Sequence, residues 1–191
     1  RQRQMCIRDR RLTNLVNDML DLSKLQAGVQ ELHAVSMNLT DEIRSIIERY
    51  ETLLKQDEYD IRFEYREDVI IQGDVIKLDQ VIYNLINNAI NYSGEDHQVI
   101  VKQLLEQGRV RIEIIDHGPG IEKDKLAYIW ERYYKVDKTH VRSRVGSGLG
   151  LSIVKAVLEL HKAEYGVLSE EGVGSTFWFS LPYSKSQNED G

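Results

Sequence analysis

The segment from Val75 to Tyr92 limits the possible folds more than any other part of the chain. Leu78, Val81, Ile82, Leu85, Ile86 and Ala89 recur at helical spacing and form an apolar face too broad to leave in water. Such a helix needs a surface with one apolar face of its own. Arg109 to Asp116 offers it, because Val110, Ile112 and Ile114 alternate with Arg109, Arg111 and Glu113, as in a strand buried on one side. Asp60 to Tyr65 and Gln98 to Leu105 also read as strands, the latter joined to Arg109 through a turn at Glu106-Gln107-Gly108. Asn38 to Asp41 reads as a strand end leading into a capped helix that runs to about Gln56. Leu149 to His161 reads as a helix, and Tyr165 to Leu168 and Ser175 to Leu181 as closing strands around Gly172 and Gly174. The expected fold is α+β, a two-layer sandwich in which helices cover one face of an open mixed sheet.

Upstream, Leu12, Leu15, Met19 and Leu22 mark a separate amphipathic stripe of the helix-bundle kind, ending near Gly28. A helix of this length is marginal alone, so the stripe calls for a partner outside this segment. Residues 1–10 carry no usable apolar face and are expected to be a fragment edge or an artefact. The expected organisation is thus a partial bundle helix over 11–28, a linker over 29–36, a main domain over 37–183 and a polar tail over 184–191. The net charge of −6 disfavours wholesale binding to nucleic acid or an anionic membrane surface. The single cysteine, Cys6, excludes an internal disulfide framework and fits a reducing, cytoplasmic setting. Any membrane attachment is expected to come only from segments further upstream.

Three features carry chemistry. Asn84, Asn88 and Asn91 lie along the edge of the apolar face of the 75–92 helix. They form either an ordinary polar border or a set of amide oxygens able to hold magnesium with phosphate oxygens. Asp116-His117-Gly118-Pro119-Gly120-Ile121 follows directly on a buried strand. A carboxylate there can accept from a purine amine, while Gly118 and Gly120 allow close backbone approach, though a plain tight turn looks the same. Gly146-Ser147-Gly148-Leu149-Gly150-Leu151 opens a helix, and amides at a helix start suit phosphate. It fails as a dinucleotide fingerprint, because a charged basic loop and not a strand precedes it.

Taken in order, N-L-I-N-N-A at 84–89, D-H-G-P-G-I at 116–121, W-E-R-Y-Y-K-V-D at 130–137, G-S-G-L-G-L at 146–151 and G-V-G-S-T-F at 172–177 resemble the catalytic domain of sensor histidine kinases. Residues 11–25 resemble the second helix of the family's dimerisation domain. The resemblance implies an ATP-binding α/β sandwich with protein-histidine kinase activity and ATP and Mg2+ as cofactors. It further implies homodimerisation through the bundle and a response-regulator receiver domain as partner. By the same resemblance, Asn84 and Asn88 are magnesium and phosphate ligands, Tyr92 is a wall of the nucleotide pocket, and Asp116 reads adenine beside Gly118 and Gly120. Lys135 belongs to the start of the ATP lid, and Gly146, Gly148, Leu149 and Gly150 to its phosphate-cradling end.

The chain departs from the family pattern in three places. Asn91 stands where a basic residue is common, so one phosphate cation is expected to be either lost or supplied by Arg142 or Arg144. Lys162-Ala163 replaces a glycine pair. None of His33, His97, His117, His140 or His161 is followed by an acidic residue and a downstream Thr or Asn, as the family's phosphoacceptor is, and that acceptor is expected on a helix before Leu12. His117 and His161 read as pocket-edge and helix-end residues, the other three as solvated loop residues. The alternatives are a related ATPase module, against which the absence of a carboxylate at Asn84 speaks, and a nucleotide-binding interaction domain without kinase activity.

Overall fold

The computed structural model describes residues 31–54, 59–131 and 148–185. Strand β1 (Val35–Asn38) runs straight into helix α1 (Leu39–Leu54). Asn38 makes that transition, its side-chain oxygen accepting from the Asp41 N–H at 3.1 Å and covering a donor that a helix start leaves open. Strands β2 (Asp60–Glu64) and β3 (Val69–Gly73) lead to helix α2 (Val75–Tyr92). Asp74 caps α2 by accepting from the Lys77 N–H at 3.2 Å. Strands β4 (Gln98–Glu106) and β5 (Arg109–Asp116) form a hairpin. Its two turn residues, Gln107 and Gly108, both have positive φ, which matches the twist of the flanking strands. Helix α3 (Gly150–Leu160) and strands β6 (Glu164–Glu170), β7 (Gly174–Pro182) and β8 (Ser184–Lys185) complete the described elements.

Five strands in the order β2-β4-β5-β7-β6 form the main sheet, in which only β2 and β4 run parallel. Register places Phe63, Val101, Ile114, Phe177 and Val167 side by side, an apolar row crossing all five strands. Val99, Val101, Val110, Ile112, Ile114, Phe177 and Phe179 are buried against the helices. Leu78, Val81, Ile82, Leu85, Ile86 and Ala89 of α2 are buried on the facing side, as the helical spacing predicts. On the outer face, the Arg111 guanidinium lies 4.0 Å from the Trp178 ring centroid and pairs with Glu113 at 2.8 Å. The sheet is therefore covered on one side, and the expected α+β sandwich is what the chain forms.

The structure corrects the reading of the edges. A second, antiparallel sheet has the order β1-β3-β8. No strand is predicted over Val69–Gly73, because three adjacent apolar residues show no alternation. Residues 35 and 36 of the expected linker belong to β1, and Ser184 and Lys185 of the expected tail pair with Ile70 and Val69. Tyr65, included in the expected strand from Asp60, lies beyond the end of β2 and is exposed. His97, expected as a solvated loop residue, is half-buried and stacks on Tyr59 with ring centroids 4.8 Å apart. The predicted bundle helix over 11–28 and the basic loop from Lys135 to Ser147 lie outside the described residues.

A buried polar junction joins the two sheets. Thr40 donates to Gln103 Oε1 at 2.9 Å and accepts from the Val69 N–H at 3.1 Å, while Gln103 Nε2 donates to the Glu67 carbonyl at 2.8 Å. Thr40→Val keeps the volume but strips the partners from a buried N–H and from the Gln103 carbonyl. Its expected effect is a loss of about 2–4 kcal/mol in folding free energy. Urea unfolding checks this, and an unchanged midpoint would count against the network.

Candidate functional site

Helix α2 presents Asn84, Asn88 and Tyr92 four residues apart, so all three lie along one half-buried stripe about 12 Å long. Two backbone segments approach that stripe. At one end, a Cβ added to Gly150 would lie 3.7 Å from Asn84 Oδ1, which places the start of α3 close beside the asparagine. At the other end, a Cβ on Gly118 would stand 1.8 Å from the Tyr92 carbonyl oxygen, so only glycine allows the turn after β5 to approach α2 this closely. Asn88 sits between these two approaches.

Asp116 ends β5 on its inward side and is 2% exposed. Its Oδ1 accepts from the Gly118 N–H at 3.0 Å, and the Ser175 N–H adds a second backbone hydrogen bond. Burial outweighs these bonds and pushes the carboxyl up to about 6. Gly174 packs behind it at φ +140°, where a Cβ would meet the Asp116 carbonyl oxygen at 2.1 Å. Gly94 packs on the His117 carbonyl, and His117 Nδ1 lies 2.6 Å from Asp96 Oδ2. The loop after α2 and the turn after β5 are thereby locked together beside the buried carboxylate.

The remaining predicted residues are placed as follows. Gly120 has φ +70° and is seated against the Glu170 carbonyl, on the turn between β6 and β7, and not against α2. Gly148 has φ +74°, and Leu149 is fully buried at the start of α3, where its own apolar side chain supplies no cap. Trp130 packs edge-on against Tyr165 and Phe177 at 5.1 and 5.8 Å. Lys135 and Gly146 lie outside the described residues. Ser175, Gly174 and Gly94 escape the sequence reading as site residues. Gly94 offers only an ordinary turn signal, and Ser175 acts through its backbone, which no side-chain pattern can announce.

The donor set fits a nucleotide with a hard cation. Amide oxygens are available on α2, a helix start without a side-chain cap lies beside them, and a buried carboxylate faces backbone donors at the far end. Among the described residues no group of three or more His, Cys, Asp or Glu side chains could hold a metal by itself, so a cation here would share its ligands with phosphate. A separate cavity of about 290 Å3 between α1 and α2 is lined by Ile46, Arg49, Tyr50, Asp79, Gln80 and Tyr83. It contains none of these features.

Comparison with known proteins agrees with this geometry. Residues 73–185 match the profile of the family described as histidine kinase-, DNA gyrase B-, and HSP90-like ATPase. The chain belongs to that family. Within it, the chain carries an ATP-binding catalytic domain of the sensor histidine kinase type. It is 34% identical over 182 residues to the sensor histidine kinase WalK of Bacillus subtilis, covering 94% of this chain but 30% of that protein. Full-length ShkA, solved in complex with AMPPNP, superposes with a TM-score of 0.78 at 28% identity, covering 92% of this chain and 36% of that one. The histidine kinase ThkA, solved in complex with the response regulator TrrA, shares the fold with a TM-score of 0.74 at 24% identity, covering 94% and 49%. The chain thus spans about a third of the curated relative's length.

The buried carboxyl has a thermodynamic signature. A folded-state value of about 6, raised from 3.8, gives stability that is full below about pH 4 and lost as pH rises through 6. At neutral pH this amounts to about 3 kcal/mol of destabilisation. The stability of Asp116→Asn relative to the parent should therefore improve from about pH 4 to about pH 6 and level off by about pH 7. Thermal unfolding across that range checks this, and a flat difference would show that the ionised carboxylate is not penalised.

Proposed function

We propose that this chain holds Mg-ATP along the α2 stripe and presents its γ-phosphate to a histidine imidazole, for relay to an aspartate on a response regulator. One observation carries the reading: Asn84 with Gly150 at the start of the α2 stripe, and Tyr92, Gly118 and Asp116 at its other end, line up on one helix edge. In this assignment Asp116 accepts from the exocyclic amine of adenine through the lone pairs its two backbone donors leave available. Gly118 and Tyr92 wall the base. Gly148, Leu149 and Gly150 offer the N-terminus of α3 to the phosphates, and Asn84 and Asn88 offer amide oxygens to the cation. Lys135 and Gly146 complete the set from the lid, and Gly120 supports it by holding the Asp116 turn against β6 and β7. When bound, magnesium would neutralise charge on the β- and γ-phosphate oxygens.

The chain's own residues position and exclude more than they react. Asn84 is an amide and cannot take a proton from water, so hydrolysis has no base at that position. Transfer then depends on in-line placement of an external nucleophile. That nucleophile is a histidine on the helix bundle of the intact protein, which we take to be a homodimer working in the cytoplasm. The solved complex of ThkA with its regulator supports a receiver domain as the next acceptor. No helix among the described residues is long and apolar enough to cross a membrane, and any anchor is assigned to upstream segments.

Calorimetry with ATP tests the site. Asp116→Ala should lower affinity by about a hundredfold or more, and Asn88→Ala by about tenfold in magnesium with little change in its absence. If both variants bind like the parent, the assignment is wrong. Supplied with the helix hairpin of a related dimerisation domain, the chain should transfer phosphate to it in an acid-labile, base-stable form. Bound ATP without such transfer in a docked mixture would defeat the kinase reading.

A further inference from the structure

Three parts of the chain meet at Asp74, on the side of α2 away from the phosphate end. The Asp74 side chain, nearly buried, caps α2 and pairs with Lys77 Nζ at 2.8 Å. Its Oδ2 also accepts from the His33 N–H at 3.2 Å, and Lys77 Nζ donates to the Glu31 carbonyl at 3.5 Å, so the incoming connector is tied to the same point. The Asp74 N–H donates to Nε2 of His161, at the C-terminus of α3, at 3.0 Å. Nδ1 of His161 faces the Val157 carbonyl at 2.8 Å and must donate to it. The ring is therefore neutral, with its proton on Nδ1 and its lone pair on Nε2.

Helices α2 and α3 approach each other again at Gly150 and Asn84, where a Cβ on the glycine would lie 3.7 Å from Asn84 Oδ1. From Asp74 to Asn84 is ten residues along α2, and from His161 back to Gly150 is eleven along α3. At helical rise these are about 15 and 16 Å, so α3 lies antiparallel to the first half of α2, bonded to it at its C-terminal end and close beside it at its start. The pin is the Asp74–His161 hydrogen bond. The close approach at the other end borders the proposed phosphate site.

We propose that His161 is a positioning residue: by accepting the Asp74 N–H it sets the register of α3 against α2, and with it the alignment of Gly150 on Asn84. This rests on the nucleotide site proposed above and adds to it a control point outside the site. The same bond makes the alignment sensitive to protons, because a second proton on Nε2 would face the Asp74 N–H and break the pin. Burial holds the imidazole below its ordinary range, with the Lys77 ammonium adding to the effect and the Asp74 carboxylate opposing it. Lys77 and Asp74 face the ring from α2. Glu31 and His33 approach that junction from the connector through their backbones. Glu159 is turned to the Tyr165 hydroxyl at 3.0 Å, and Glu164 on β6 pairs with Arg109 at 3.6 Å.

The test uses the whole chain, and its first arm needs no nucleotide. In the parent, the side-chain amide resonances of Asn84 and Asn88 and the backbone amide of Gly150 should shift with the titration of the His161 ring. In His161→Gln, whose amide oxygen reaches as far as Nε2 but does not titrate, that component should vanish. The second arm measures ATP affinity. Acidification from about pH 8 to about one pH unit below the midpoint of the ring's own titration, as read in the first arm, should weaken the parent at least about fivefold more than His161→Gln, the comparison cancelling the titration of Asp116. His161→Leu, which has no acceptor, should show the weakened affinity at every pH, and His161→Gln should restore it. Asparagine and Gly150 resonances that ignore the ring's titration, or identical pH profiles for parent and His161→Gln, would overturn the proposal. A parent that binds no ATP would sink the nucleotide site alone, and the resonance arm would still decide the coupling. If His161→Leu fails to fold, the glutamine variant carries both arms.

Discussion

The burial of one face of α2 against the five-stranded sheet is the constraint on which the rest of this molecule depends. Seven apolar side chains of α2 are buried, and at about 1.5–3 kcal/mol for each fully buried large side chain that packing dominates the helix's energetics. It leaves the helix almost no rotational freedom. Because the face is fixed, its edge is fixed too, and Asn84, Asn88 and Tyr92 are held along the rim that the turn after β5 and the start of α3 approach. The site is a by-product of core packing, which is why polar residues of poor helix propensity can stand on a helix without destroying it.

The opposite bargain is struck at Asp116. A carboxylate at the inward end of a strand is stripped of water, and two backbone donors do not fully replace what is lost. Its neighbours are arranged for this position: Gly118 and Gly174 allow backbone to come within contact of Tyr92 and of Asp116 itself, which no larger residue would permit. A group held at a stability cost in a recess formed by close backbone approach fits a ligand-reading role better than a structural one. Asp74, also nearly buried, is the useful contrast. Its bonds to Lys77 and to backbone N–H groups hold its carboxyl below the usual range although burial opposes them, and it serves the architecture.

Much of the site was legible because its residues lie in local patterns. The spacing of Asn84 and Asn88, the alternation ending at Asp116 and the glycines before α3 are all properties of short windows, and among the described residues the structure puts the asparagines on α2, Asp116 at the end of β5 and Gly148 and Gly150 at the start of α3. Tyr92 and Gly118 also meet, but their contact joins carbonyl to Cα and is invisible to any side-chain rule. Gly120 shows the limit of motif reading: it belongs to the same turn as Gly118 yet serves the β6–β7 turn. Ser175 contributes a backbone N–H whose partner is fixed by strand register, 59 residues from Asp116 in the chain.

The sequence by itself determined the secondary elements with strong periodicity, the one-sided sandwich they require, and the membership of the chemical motifs, since each follows from spacing within a single element. Tertiary structure alone decided the second sheet, where a five-residue strand without alternation finds partners at both ends of the domain. It alone joined Asp74 to His161 across 87 residues and to the connector at His33. The physical reason is common to both. Hydrogen bonds between backbone groups, and between a backbone group and one ring nitrogen, depend on where distant segments end up and leave no periodic trace in the order of the residues.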